Sequence, residues 1–159
     1  MYLNLPRQRG VSLIESMIAL LVISIGLLGI ASLQITAMKL NTSALRQSQS
    51  VWIAYDIADR IRANHSQFAN YAGIDTNNTS PQDCMTSACT TAQLITADAQ
   101  DWATQIQNLP AGRGLITSPA ASQLLIRVMW DDDGTGATGT ACGTDPAVDL
   151  TCFTVTMVQ

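Results

Sequence analysis

The sequence predicts an α+β fold, in which one long N-terminal helix packs on a small antiparallel sheet together with a second helix. Neither proline nor glycine interrupts residues 34–64, which suits a long helix. Residues 90–109 contain a second apolar pattern with helical spacing. Apolar residues then alternate with others over 123–130 and 150–158, as they do in half-buried strands.

The first half of the long helix is predicted to cross a membrane. No charged residue lies between Ser16 and Met38, and these 23 residues form a helix long enough for a bilayer core of about 30 Å. Arg7 and Arg9 precede the run, so the N-terminus is expected on the cytoplasmic side. An ordinary secretory signal, cleaved after Ala31, is the alternative, but its apolar core would be shorter.

Glu15 is the only glutamate in the chain and lies at the start of this apolar run. An ionised group in hydrocarbon costs roughly 3 kcal/mol, so a partner for the carboxylate is expected. The positive end of the helix dipole also favours an acid in the first turn. The alternative is a glutamate that is tolerated at the membrane interface without a function.

The second half of the long helix is predicted to be amphipathic and to pack on the remainder of the chain. Ile53, Ile57 and Ile61 recur every four residues and form one apolar stripe. Two pairs of opposite charges have the spacing for contact along its flank: Asp56 with Arg60, and Asp59 with Arg62.

The remainder of the chain predicts a head with one helix and two or three strands. Residues 64–90 have no periodicity and predict a loop. A helix follows, capped by Thr90 or Thr91 and ended by Pro110. Its predicted buried face comprises Ile95, Ala99, Trp102, Ile106 and Leu109. A short strand at Leu115–Thr117 and a long connection over Asp131–Asp149 complete the prediction.

Four cysteines lie beyond the apolar run and predict two disulfides in an oxidising compartment. Three pairings are possible. We favour Cys84–Cys89 and Cys142–Cys152, because each bridge then closes a local loop; the main alternative joins the two loops across the head. A zinc site is the weaker interpretation, since neither pair has CxxC spacing.

No residue set in the sequence suits catalysis, so we expect no enzyme activity and no cofactor. His65 is the only histidine, and no glutamate follows the apolar run. Asp131, Asp132 and Asp133 are a candidate cation site, but their spacing does not match a calcium loop, and a solvated turn is the preferred interpretation. The net charge of −4 and the scattered Lys and Arg residues argue against a nucleic-acid partner.

The segment Gly10-Val-Ser-Leu-Ile-Glu15, with basic residues before it and an apolar helix after it, resembles the class III signal of type IV pilins and pseudopilins. This resemblance implies a pilin-like fold, cleavage after Gly10 by the prepilin peptidase, and N-methylation of Val11, where the family more often has Phe. It also implies an assembly role for Glu15, whose carboxylate would neutralise the terminal amine of a neighbouring subunit inside an apolar bundle.

Other segments resemble the PilV-type minor pilins, also called type IV pilus modification proteins. These segments are Ser16–Gln34, Tyr55–Asn64, Trp102–Gly114, and the strand that ends in Trp130-Asp131. The resemblance implies a low-abundance subunit that primes or modifies pili and affects adhesion. Its partners would be the major pilin and other minor pilins, contacted through the N-terminal helix.

The predicted organisation is a cleaved leader at 1–10, a transmembrane and assembly half-helix at 11–38, an amphipathic half-helix at 39–64, and a head at 65–159. The expected location is the bacterial inner membrane, crossed once with the N-terminus cytoplasmic and the head periplasmic, and then the pilus or cell surface. One alternative is a minor pseudopilin of a type II secretion system. Another is a signal-anchored periplasmic enzyme or binding protein.

Overall fold

A computed structural model describes residues 12–159, so the predicted processing positions Gly10 and Val11 lie outside the described residues. The predicted α+β architecture is confirmed. Its elements are α1 (Leu13–Ala63), two 3₁₀ helices (His65–Tyr71 and Thr76–Asn78), α2 (Thr91–Ile106), β1 (Arg113–Thr117), β2 (Gln123–Trp130) and β3 (Thr151–Val158).

The chain divides into two compact units within α1. The first ends at Thr42 and the second comprises Ser43–Gln159. This division lies four residues beyond Met38, the predicted end of the membrane half. The second unit contains the rest of α1 as well as the predicted head, because the side chains of this part of the helix belong to the head's core.

In the first unit, every described residue from Ser12 to Thr42 is exposed. This part of α1 contains the one stretch, among the described residues, that is long and apolar enough to cross a membrane. Three of its hydroxyl groups bond back to carbonyls four residues earlier, which leaves the apolar surface uninterrupted at these positions. Ser24 donates to Leu20 and Thr36 donates to Ser32. Such internal bonding is what hydrocarbon requires of polar groups.

In the second unit, α1 supplies one wall of the main apolar core. The predicted stripe is confirmed: Ile57 and Ile61 are fully buried and Ile53 is 8% exposed. The side chains of Trp102 and Ile106 from α2 and the inner face of β2 pack against this stripe. The inner face of β2 comprises Leu124, Ile126, Val128 and Trp130.

The second helix begins at a complete capping box. The Thr90 hydroxyl accepts from the Gln93 amide, and the Gln93 side chain accepts from the Thr90 amide. The helix ends at Ile106, three residues before the predicted Leu109. Leu109 is nevertheless buried, but in a turn, since Pro110 disfavours helical backbone at the residue before it.

The prediction of an unstructured loop at 64–90 was wrong for its first half. Two 3₁₀ helices occupy 65–71 and 76–78, and both contribute buried residues. Phe68 and Tyr71 enter the main core and Thr76 is 8% exposed. Such short helices lack the repeated apolar spacing by which a longer helix is recognised.

The three strands form an antiparallel sheet in the order β1-β2-β3. β1 begins at Arg113, two residues earlier than predicted, and β3 begins at Thr151. Met129 lies on the face of β2 opposite to Leu124, Ile126 and Val128, yet its side chain is fully buried. Ala137 and Leu150, from the connection between β2 and β3, cover it in a second small cluster.

Candidate functional site

Glu15 lies in the first turn of α1, beside exposed apolar residues. Its amide N–H donates to the Ser12 carbonyl at 3.0 Å, which closes the first turn. The neighbouring Ile14 and Met17 are 66% and 70% exposed. Among residues 12–159, no side chain forms a hydrogen bond or ion pair with the Glu15 carboxylate. The first turn therefore presents an acid and an apolar surface that the rest of the described chain leaves uncovered.

The apolar surface of the first unit is large and extends around the helix. Its exposed apolar side chains include Leu13, Ile18, Leu20, Leu21, Val22, Ile23, Ile25, Leu27, Leu28, Ile30, Leu33, Ile35, Met38 and Leu40. An exposed patch of this size marks a membrane-embedded or protein-protein contact surface. Gly26 and Gly29 lie within it, and a Cβ at either position would meet nothing within 4 Å. Small residues of this kind allow close helix-helix approach in a membrane.

In the second unit, the chain segment after β2 carries the three aspartates that formed the candidate cation site. The structure gives two of these aspartates separate structural roles. Asp131 organises the turn, because its carboxylate accepts from the amides of Thr135 (3.1 Å) and Gly136 (2.8 Å). These hydrogen bonds, that from Gly136 first, hold the pKa of Asp131 below its usual range.

Asp132 instead contacts α1. Its carboxylate accepts from the Ser43 hydroxyl at 2.5 Å, and Arg46 donates to its backbone carbonyl at 2.6 Å. The indole N–H of Trp130 donates to the same carboxylate at 3.1 Å. Burial alone would raise the pKa of Asp132, but the hydrogen bonds from Ser43, Trp130 and Arg46 outweigh it and lower the pKa.

Asp133 is exposed, and no hydrogen bond to its side chain is present among residues 12–159. Over residues 12–159, no group of three or more His, Cys, Asp and Glu side chains is arranged to hold a metal ion. The preferred interpretation, a solvated turn, was wrong for Asp131 and Asp132. Asp131 is 7% exposed because its carboxylate points into the turn that it organises, and Asp132 is engaged by α1. Contacts between residues that are 86 or 89 positions apart in the chain leave no periodic pattern in the sequence.

A second polar network, of which only the Asp56–Arg60 pair was predicted, joins α1 to α2. The predicted Asp56–Arg60 pair is present at 2.9 Å, and Arg60 also reaches Asp98 (3.3 Å) and Asp101 (3.0 Å). The Tyr71 hydroxyl donates to Asp98 at 2.6 Å. Burial, reinforced by this hydrogen bond, raises the pKa of Tyr71. The predicted Asp59–Arg62 pair is also formed.

The structure contains both disulfides that the sequence analysis favoured. Cys84 is bonded to Cys89 in the loop before α2, and Cys142 is bonded to Cys152 near the start of β3. The second bridge fixes the connection between β2 and β3. Both of its cysteines pack against the second small cluster, which contains Met129, Ala137 and Leu150. All four cysteines are therefore used structurally, and none is free for a thiolate site.

Comparison with protein families gives two adjacent matches. Residues 5–31 match the prokaryotic N-terminal methylation motif. Residues 32–100 match the family described as type IV pilin Tt1218. Neither the curated proteins nor the solved structures include a significant match to this chain.

The two matches together cover α1 and much of α2, and so extend from the first unit into the second. The methylation motif covers the first turn of α1 with Glu15, and the pilin match continues through the rest of α1 into α2. The motif implies processing by a prepilin peptidase and assembly with other pilins, and pilins have a structural, not an enzymatic, role. Together with the pilin-like α+β fold, these findings support a membrane-anchored pilin subunit.

Proposed function

We propose that this chain is a minor pilin of type IV pili, which takes part in pilus assembly or priming and in adhesion. Cleavage after Gly10 and N-methylation of Val11 would produce the mature subunit. The observation that supports this proposal most directly is the first turn of α1, which lies within the methylation motif and carries Glu15 at the start of an uncovered apolar helix.

Glu15 would act in assembly through charge neutralisation. Once subunits leave the bilayer, the apolar surfaces of their first units pack together, and a lone carboxylate buried there would be costly. The amine created at Val11 by cleavage carries the opposite charge. A carboxylate from one subunit can therefore pair with the terminal amine of its neighbour, which favours insertion in one register.

The head would then be displayed at the filament surface, where minor subunits act in priming or adhesion. Two disulfides and a core shared between α1, α2 and the sheet suit an extracellular head. The partners in this proposal are the major pilin and other minor pilins. The subunit would reside in the inner membrane, with its head in the periplasm, until it is assembled.

The test compares Glu15→Ala with Ser16→Ala, a neighbouring substitution in the same exposed turn. Both are expressed in a strain that lacks the wild-type gene, and the protein is quantified in sheared pili and in membranes. We expect Ser16→Ala to enter pili normally. Glu15→Ala should accumulate in membranes and be absent from pili. A Gly10→Asp variant, which blocks cleavage, should give the same result.

Normal amounts of Glu15→Ala and Gly10→Asp protein in pili would overturn the proposal. Normal piliation and adhesion with a loss of exoprotein secretion would identify the chain as a type II pseudopilin instead. If the Glu15→Ala protein shows an enzymatic activity or binds a ligand as well as the wild type does, without entering filaments, a signal-anchored enzyme or binding protein is favoured.

A further inference from the structure

The outer face of α1 in the second unit carries two aromatic side chains that do not belong to the core. Trp52 is 80% exposed and Tyr55 is 48% exposed, whereas Trp102 and Trp130 are fully buried. Residues three apart on a helix are neighbours on its surface, so the two exposed rings lie on the same side of α1. The head therefore presents a pair of rings to its surroundings.

Two carboxylates lie beside these rings. Asp56 and Asp59 line the same surface cavity of about 350 Å³ as Trp52, Tyr55 and Val51. Each acid follows one of the rings by four residues, which makes ring and acid neighbours along the helix. The two carboxylate side chains are 40% and 72% exposed. The cavity is thus lined by two rings, two carboxylates and one aliphatic side chain.

Each carboxylate keeps one oxygen that is not used inside the head. Asp56 accepts from Arg60 at 2.9 Å and from Gln105 at 3.0 Å, and both donors contact its Oδ2 atom. Asp59 accepts from Arg62 through its Oδ1 atom. Within residues 12–159, no hydrogen bond or ion pair reaches Asp56 Oδ1 or Asp59 Oδ2. Both acids can therefore accept a further hydrogen bond.

The charges around the cavity are also unbalanced. Four carboxylates share two guanidinium groups there: Asp56, Asp98 and Asp101 with Arg60, and Asp59 with Arg62. These six groups carry a net charge of −2. A positive charge on a partner complements this surface, whereas a negative charge would be repelled.

We propose that this cavity, the Trp52 site, binds an arginine side chain presented by a partner protein. A guanidinium group is planar, so it can stack on an aromatic ring while its N–H groups donate to carboxylate oxygens. The Trp52 ring is the stacking surface, and Asp56 Oδ1 and Asp59 Oδ2 are the acceptors. The aliphatic part of the arginine would pack against Val51.

Arginine suits the site better than lysine. A lysine ammonium is a compact and strongly hydrated charge, so it would meet the carboxylates without stacking flat on the indole. The site lies in the second unit and depends neither on Glu15 nor on the proposed pilus function.

The test titrates the full-length protein in detergent with the peptide acetyl-Gly-Arg-Gly-amide at constant ionic strength. NMR follows the indole N–H signals of the three tryptophans, and the signal that disappears in Trp52→Phe belongs to Trp52. We expect a saturable shift of this signal, with a dissociation constant on the order of 1 mM, as suits one side chain. The same peptide with citrulline, which is planar but uncharged, should bind roughly fivefold more weakly or worse.

Two variants separate the ring from the charge, and the backbone amide signals of residues 51–59 report binding to both. Trp52→Leu removes the stacking surface, and Asp59→Asn removes one negative charge. Each should weaken binding of the arginine peptide by roughly fivefold or more. Both side chains are largely exposed, so the unfolding temperature should change little. Met85→Ala removes another exposed apolar side chain of the head and should leave binding unchanged.

Equal binding of the citrulline and arginine peptides would overturn the proposal. An unmoved Trp52 signal at about 10 mM arginine peptide would do so as well. If acetyl-Gly-Lys-Gly-amide binds as tightly as the arginine peptide, the assigned stacking on Trp52 is contradicted. None of these results bears on whether the Glu15→Ala protein enters pili, so the proposed function is tested separately.

Discussion

Arg46 donates a hydrogen bond to the backbone carbonyl of Asp132 at 2.6 Å, and the same nitrogen lies 3.4 Å from the Asp132 carboxylate. The contact joins the first turn of α1 within the second unit to the residues that follow β2. Together with Ser43 and Trp130, Arg46 satisfies an aspartate that would otherwise be costly to bury. Along α1, the second unit therefore begins at a polar contact that precedes the buried stripe of Ile53, Ile57 and Ile61.

Removal of this carboxylate should destabilise the head. Asp132→Ala leaves the Ser43 hydroxyl and the Trp130 indole without their acceptor, whereas Arg46 keeps the backbone carbonyl and loses only its 3.4 Å contact with the carboxylate. We expect a loss of about 1–3 kcal/mol in the free energy of unfolding. Asp133→Ala, at the exposed neighbour, should change it by less than about 0.5 kcal/mol. Urea unfolding of the full chain in detergent measures both. A larger loss for Asp133→Ala would contradict the assigned contact.

The same contact predicts a dependence on pH. The pKa of Asp132 is lower in the folded chain than in the unfolded chain. Its stabilising contribution is therefore complete above about pH 4, the usual pKa of aspartate, and is lost as the pH falls through the lower folded-state value. Unfolding free energy measured between pH 2 and 7 should decline below about pH 4. The decline should be shallower in Asp132→Asn, and an identical slope would argue against this role.

Gly114 allows α2 to approach β1 closely. A Cβ at this position would lie 2.4 Å from Ile106 Cδ1 and 2.6 Å from Trp102 Cη2, both in the core. Gly114→Ala should therefore lower the free energy of unfolding by about 1–3 kcal/mol through overpacking. Gly29→Ala meets no atom within 4 Å and should leave head unfolding unchanged. Equal melting temperatures for the two variants would contradict the close approach.

The bridge between Cys142 and Cys152 should stabilise the head by restricting the unfolded chain. It closes a loop with a sequence separation of 10, for which loop-closure entropy predicts a contribution of about 3 kcal/mol. The double variant Cys142→Ser/Cys152→Ser should show this loss in unfolding experiments under non-reducing conditions. An unchanged midpoint would show that the connection between β2 and β3 is held by other contacts.

The elements that repeat a pattern were predictable from the sequence. The stripe of Ile53, Ile57 and Ile61, the capping threonine before α2, and the alternation in β2 each reflect a regular geometry that fixes which residues face the core. The apolar run was equally readable, because hydrocarbon imposes its length and the absence of charge. The bounds of α1 and β2 therefore agree closely with expectation.

Contacts between distant segments were not predictable in this way. The partner of Asp132 lies in α1, and the partner of Tyr71 lies in α2, so each depends on how the elements pack. The 3₁₀ helices were missed because three to seven residues display too little periodicity. The burial of Met129 depends on a connection that is held in place by a disulfide, and its course has no regular pattern.

The most direct test of the central claim, that this is a processed pilin subunit, is mass spectrometry of the N-terminal peptide of the mature protein. The protein should be isolated both from membranes and from sheared pili, since processing precedes assembly. We predict a peptide that begins at Val11 and carries an N-methyl group. A mature protein that begins at Ser32, after a conventional signal cleavage, or that retains Met1, would contradict the claim.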